Sequence, residues 1–174
     1  MEDNFDHRFW TGSSYRSPDY KGETDDRGNA LAVVSGLASK DKFPALKTLL
    51  TTEYHASPYM EKYVLEALFC MDAPEEALDR IRKRYKTMVE YPGLTTLPEN
   101  WIDETIQLKP GEPMINAFWG TYNHGWSGGP LTLLSQKVCG IEPTSPGFRT
   151  FRIRPQMGYL KQASCHVSSV SGEI

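Results

Sequence analysis

The sequence predicts a mainly α-helical chain of hairpins that ends in a short antiparallel β segment. Three observations carry this expectation. Apolar residues recur at intervals of three and four between residues 24 and 90. Ser57 followed by Pro58, an N-cap side chain before a first-turn proline, marks a helix start inside that stretch. From Phe151 the period falls to two, with Phe151 and Ile153 alternating with Arg152 and Arg154. The 174 residues suffice for one domain, or for a domain and part of another.

Residues 1–23 mix Gly, Ser, Asp and aromatics without a sustained period and are expected to form a structured loop. Phe9, Trp10, Tyr15 and Tyr20 are too apolar for a linker. A first helix is expected from about Thr24, with Asp25 and Asp26 in the first turn, where the helix dipole favours carboxylates. Either acid could also fasten the incoming chain through Arg27. Ala30, Leu31, Val33, Val34, Leu37 and Ala38 run round the circumference, which predicts packing on several sides.

A second helix is expected near Asp41, with Phe43, Leu46, Leu49 and Leu50 on one face. The helix that starts at Ser57 carries Met60, Tyr63, Val64, Ala67, Leu68 and Met71 at helical spacing. Asp72 and Glu75 form a capping-box pair for a fourth helix. That helix would turn Leu78, Ile81, Tyr85, Met88 and Val89 inward and leave Glu76–Arg80 and Asp79–Lys83 as i,i+4 pairs outside. The helical aromatics Tyr59, Tyr63 and Tyr85 read as core.

Periodicity vanishes over residues 91–129, and an irregular stretch of that length is often functional. A last helix is expected from Ser127 or Pro130 to Val138, closed by Gly140. Strands follow around Phe151 to Arg154 and at Ala163, Cys165 and Val167. They are too few to bury both faces of a sandwich, so the chain is expected to stop inside a β domain.

Composition narrows the function classes. Nineteen Lys and Arg against 22 Asp and Glu give a net charge of −3, which lacks the clustered cations of a nucleic-acid binder. No apolar run reaches the 18 or so residues that span a bilayer, and the acidic N-terminus is no signal peptide. A soluble chain with no membrane partner is expected, and the sequence leaves its compartment open. Cys70, Cys139 and Cys165 and the four histidines lack paired spacings, so neither a disulfide framework nor a metal or other cofactor is expected. Nine Tyr, seven Phe and four Trp in a mildly acidic chain suit a carbohydrate site, although cores use aromatics too.

The irregular stretch holds two clusters. TTLPENW, residues 95–101, places the carboxylate of Glu99 near Trp101. GTYNHGWSGGP, residues 120–130, places Asn123, His124 and Trp126 before a Gly-Gly-Pro helix start. Indoles can stack on the C–H faces of sugar rings while carboxylate and imidazole take up hydroxyls. Each residue has a plainer alternative: Glu99 as a solvated loop glutamate, His124 as a brace, Trp126 as core packing.

Four separated strings in order resemble the C-terminal part of bacterial α-L-rhamnosidases: YKGETDDRGNALAVVSGLA, SPYMEKYVLEALF, TTLPENW and NHGWSGGPLTLLSQKVCGIEPTSPGF. The resemblance covers essentially the whole chain. It implies a partial (α/α)6 toroid over residues 1–140 and the beginning of a C-terminal β-sandwich over residues 141–174. It also implies inverting removal of terminal α-L-rhamnose from glycosides. Glu99 would be the general base that activates water, and His124 would contact the sugar, with Trp126, Trp101 and Asn123 as further substrate-binding residues. Pro98 departs from the pattern, because the family usually has an aromatic residue there.

The family's general acid belongs to the earlier half of the toroid, and no motif for it occurs here. The chain alone is therefore expected to be a fragment with negligible hydrolysis, whose uncovered helix faces favour self-association. A non-catalytic carbohydrate-binding remnant and a helical interaction scaffold are the competing readings. A scaffold would have no use for both loop clusters. Another (α/α)6 glycosidase, such as an unsaturated glucuronyl hydrolase, would need a basic pocket that the two motifs do not supply.

Overall fold

The computed structural model describes residues 2–102 and 120–174, so part of the irregular stretch expected over residues 91–129 lies outside the described residues. The chain is mainly helical and ends in short antiparallel strands, as the sequence predicts. Six α-helices, α1 Glu2–Phe9, α2 Asp26–Val34, α3 Phe43–Thr52, α4 Pro58–Cys70, α5 Pro74–Glu90 and α6 Gly129–Leu133, occupy the described residues. A 3-10 turn, Gly125–Gly128, leads into α6, and a π turn, Leu134–Val138, follows it. Strands β1 Ile141–Pro143 and β2 Phe151–Ile153 pair antiparallel, with Glu142 opposite Arg152. Strands β3 Ser168–Ser169 and β4 Gly172–Glu173 form a second small hairpin.

Helix α1 replaces the loop expected at the N-terminus. Its local propensity is modest, and tertiary contact holds it: the Phe5 ring lies 5.0 Å from both Phe9 and Tyr15. Buried Asn29 of α2 fastens the following chain, accepting from the Tyr15 amide at 2.7 Å and donating to the Tyr15 carbonyl at 3.1 Å. The Nζ of Lys42 reaches back to Asp6 at 2.5 Å. That ammonium, and next the Tyr15 hydroxyl, hold the Asp6 carboxyl below the usual carboxylate range.

A depressed carboxylate contributes stability that is present above its unfolded pKa of about 4 and is lost as pH falls through the lower folded value. Asp6→Asn is therefore expected to shrink the difference between urea midpoints at neutral and acid pH. An unchanged acid limb would assign the pair no net stability.

The core lies between α2, α3, α4 and α5. Leu46, Leu50, Val64, Leu65, Leu68 and Phe69 are essentially inaccessible, with Ala30 and Ala67 letting helices approach closely. Ser57 caps α4 and Pro58 opens it, as their order in the sequence implies. Asp25 caps α2 by accepting from the Arg27 amide at 2.8 Å. Helix α2 stops at Val34 and not at Ala38, because Gly36 turns the chain at a φ of +74°. Leu31 is 43% exposed, so the helix is not covered all round.

Helix α5 departs most from expectation. Asp72 forms no capping box; it adopts a left-handed φ of +52°, and Ala73 is the N-cap without a side-chain bond. Val89 is 70% exposed, one position beyond the inward stripe ended by Met88. Asp79 accepts from the Tyr159 hydroxyl at 2.9 Å in place of the expected Lys83 pairing.

Arg80, expected outside beside Glu76, is buried. Its guanidinium donates to Glu61 at 2.6 and 3.0 Å, to Asp26 at 2.6 Å, and to the carbonyls of Leu50 and Glu53. Arg84 adds a second cation 3.5 Å from Glu61. Both carboxylates are fully buried, so one side chain joins α2, α4, α5 and the end of α3.

At the C-terminal end, Gly140 adopts a φ of +77° where the chain turns from the π segment into β1. Burial pushes the Glu142 carboxyl up, but bonds from Lys137 at 2.5 Å and from Arg152 outweigh it and leave it depressed. Residues 163–166, expected as strand, have no ladder partner among the described residues. Paired backbone begins at Val167, which exchanges two bonds with Ile174 at 3.1 and 2.9 Å.

Candidate active site

Two loop segments assemble the site through their main chains. The Glu99 amide donates to the Thr121 carbonyl at 2.9 Å, and the His124 amide donates to the Leu97 carbonyl at 2.9 Å. Thr96 adds a side-chain bond to the Tyr122 carbonyl at 2.5 Å. Pro98 lies between the two bonded positions, where the pairing asks for no N–H from it. Its carbonyl accepts from buried Ser127 at 2.7 Å, which ties the 3-10 turn to the same loop. Proline at this position is therefore compatible with the arrangement.

The pairing brings Glu99 and His124 together. Glu99 Oε2 lies 3.8 Å from His124 Nδ1, with the two side chains 27% and 29% exposed. Thr121 bridges them: its amide donates to Oε2 at 3.1 Å, and its hydroxyl stands 3.4 Å from Oε2 and 3.0 Å from Nδ1. With the proton on Nδ1, a chain runs from imidazole through hydroxyl to carboxylate and leaves Nε2 as an acceptor. A partly exposed carboxylate held this way can accept a proton from water or bind a hydroxyl donor.

Gly120 fixes the carboxylate's position. Its φ is +114°, and a Cβ there would stand 2.7 Å from Glu99 Oε2 and 3.0 Å from Glu99 Cβ. Gly120→Ala is expected to push the Glu99 side chain off the Thr121 amide. Faster hydrogen exchange at Thr121, against an unchanged α4 core, would register the shift; equal protection would contradict it.

The other sequence candidates divide. Trp126 stands 3.9 Å from the His124 ring, centroid to centroid, and is 43% exposed, so it belongs to the same corner. Asn123 is exposed directly before His124. Trp101 makes structural contacts: its indole N–H donates to the Ala56 carbonyl at 2.8 Å, its ring meets Tyr85 edge-on at 5.1 Å, and Arg84 sits 4.1 Å above it. Those contacts anchor the Glu99 loop to α5.

Thr121 and Tyr59 escaped the sequence reading. Thr121 sits inside the GTYNHGW string, but only tertiary pairing reveals its bridge. Tyr59, expected in the core, is 43% exposed and lies 5.1 Å from Trp126. Among the described residues no group of three or more His, Cys, Asp and Glu side chains could hold a metal ion. No described helix is long and apolar enough to cross a membrane.

Comparison with known proteins agrees with the resemblance read from the motifs. Residues 140–174 match the bacterial alpha-L-rhamnosidase C-terminal domain family. The fold is similar to part of a GH78 family rhamnosidase of Bacillus sp. GL1, with a TM-score of 0.73 and 22% identity over 98% of this chain. At that identity the likeness is one of fold, and this chain spans 19% of the length of that protein. No curated protein matches the chain.

Proposed function

We propose that this chain contributes one wall of an α-L-rhamnosidase active site. In this reading residues 1–140 belong to an (α/α)6 toroid and residues 141–174 begin a β-sandwich, a division supported by the family match that starts at residue 140. Glu99 is the general base of an inverting hydrolysis, taking a proton from the water that attacks the anomeric carbon of a terminal α-L-rhamnose. His124 and Asn123 contact that terminal sugar, and Trp126 meets the substrate beside them. The second carboxyl group, which protonates the leaving oxygen, comes from another part of the toroid. Trp101 serves by anchoring the loop that carries Glu99.

The observation that carries the reading is the joined Glu99–Thr121–His124 corner beside exposed Trp126. In the enzyme that supplies the acid, Glu99→Gln is expected to lower turnover of an aryl α-L-rhamnoside by about 10²–10⁴-fold. Binding of L-rhamnose, followed by calorimetry, should stay within a few fold. Unchanged turnover would remove Glu99 from the mechanism. Binding of L-rhamnose without any Glu99-dependent hydrolysis would favour a carbohydrate-binding role.

A further inference from the structure

Resting on that reading, we propose that Tyr59 and Trp126 form a platform for the sugar residue next to the terminal one, so that the site recognises an oligosaccharide end. The rings make a continuous strip. His124 lies 3.9 Å from Trp126, Trp126 lies 5.1 Å from Tyr59, and Tyr59 lies 5.9 Å from Tyr63. Trp126 and Tyr59 are each 43% exposed, although Tyr59 stands in the first turn of a helix whose opposite face is core.

One end of the strip is polar. The Glu99–His124 corner would hold the terminal sugar, and the apolar surface leads away from it along α4. Pyranose rings present a C–H face to aromatic rings and hydroxyls to polar groups, which is the order of chemistry found along this surface. At the far end Lys62 packs over Tyr63 at 4.9 Å and pairs with Glu66 at 3.1 Å, returning the surface to ordinary charged helix.

Gly129 sets the alignment. A Cβ at Gly129 would stand 2.7 Å from Lys62 Cβ, so the start of α6 lies directly on α4 and carries Trp126 to Tyr59. Tyr59 is 43% exposed and lies outside the core cluster, with Trp126 and Tyr63 as its aromatic neighbours. An aromatic held beside a polar corner and left uncovered is a binding surface with its neighbour already in place.

The test is a calorimetric titration with L-rhamnose and with a rhamnose-terminated disaccharide, made in the enzyme that supplies the acid and with Glu99→Gln throughout to prevent cleavage. The parent with Tyr59 intact should bind the disaccharide more tightly than the monosaccharide. Tyr59→Ala should weaken the disaccharide by roughly 3- to 10-fold, the scale of one aromatic contact, and leave L-rhamnose affinity unchanged. Tyr59→Phe, which keeps the ring, should retain both. Helical circular dichroism of the alanine variant controls for folding. Equal disaccharide affinity in this parent and in Tyr59→Ala overturns the platform while leaving the rhamnose site standing. An equal loss for both sugars also overturns it, by placing Tyr59 at the terminal sugar. A parent that binds neither sugar overturns the rhamnose reading and the platform with it.

Discussion

Arg80→Ala is expected to cost about 3–5 kcal/mol, the range for removing one partner of a buried ion pair. The loss comes from what remains: Asp26 and Glu61 would be buried without their main cation, and the carbonyls of Leu50 and Glu53 would lose a donor. Arg84, 3.5 Å from Glu61, compensates only one of the two acids. Urea unfolding followed by circular dichroism gives the number. A loss below about 1 kcal/mol, typical of an exposed pair, would contradict the burial argument. Replacing Asp26, Glu61 and Arg80 together with apolar residues of similar size should cost less than Arg80→Ala, because the two inaccessible acids leave with their cation and only Arg84, 15% exposed, loses a partner.

Gly140→Ala should be the most damaging single methyl in the C-terminal segment. The left-handed backbone, with φ at +77°, costs a residue with a Cβ about 1–2 kcal/mol before any collision. The collision is with main chain: the added carbon would stand 2.2 Å from the Arg154 carbonyl carbon and 2.4 Å from Pro155 N. Main chain cannot rotate away as a side chain can, so the bond from the Arg154 amide to the Gly140 carbonyl, 2.9 Å long, should break. The expected result is a total loss above the conformational cost alone, with rapid amide exchange at Arg154. Native exchange protection there would show that β1 and β2 accommodate the methyl.

What the sequence disclosed, and what it hid, follows the range of the forces involved. Ser57 and Pro58 act on their own helix turn, so their order marked the start of α4 directly. Arg80 looked like the outer partner of Glu76 because i,i+4 spacing is the only pairing a linear pattern reveals. Its actual partners, Asp26 and Glu61, lie 54 and 19 residues away. Helix α1 was invisible for the same reason, since Phe5, which packs on Phe9, meets Tyr15 only across a turn. At the candidate site, Glu99 and His124 were legible as motif residues. The Thr121 bridge and the exposed Tyr59 ring depend on contacts 22 residues apart and on the seat of α6 against α4.

The Glu99 and His124 loops are joined by two main-chain bonds and by side-chain bonds from Thr96, Ser127 and Thr121, and among the described residues none of these uses the side chain of Asn123. Selectivity could therefore drift, or be engineered, at an outward position such as Asn123 with the proton-accepting apparatus left intact. Recognition and reactivity are separately adjustable in a scaffold built this way.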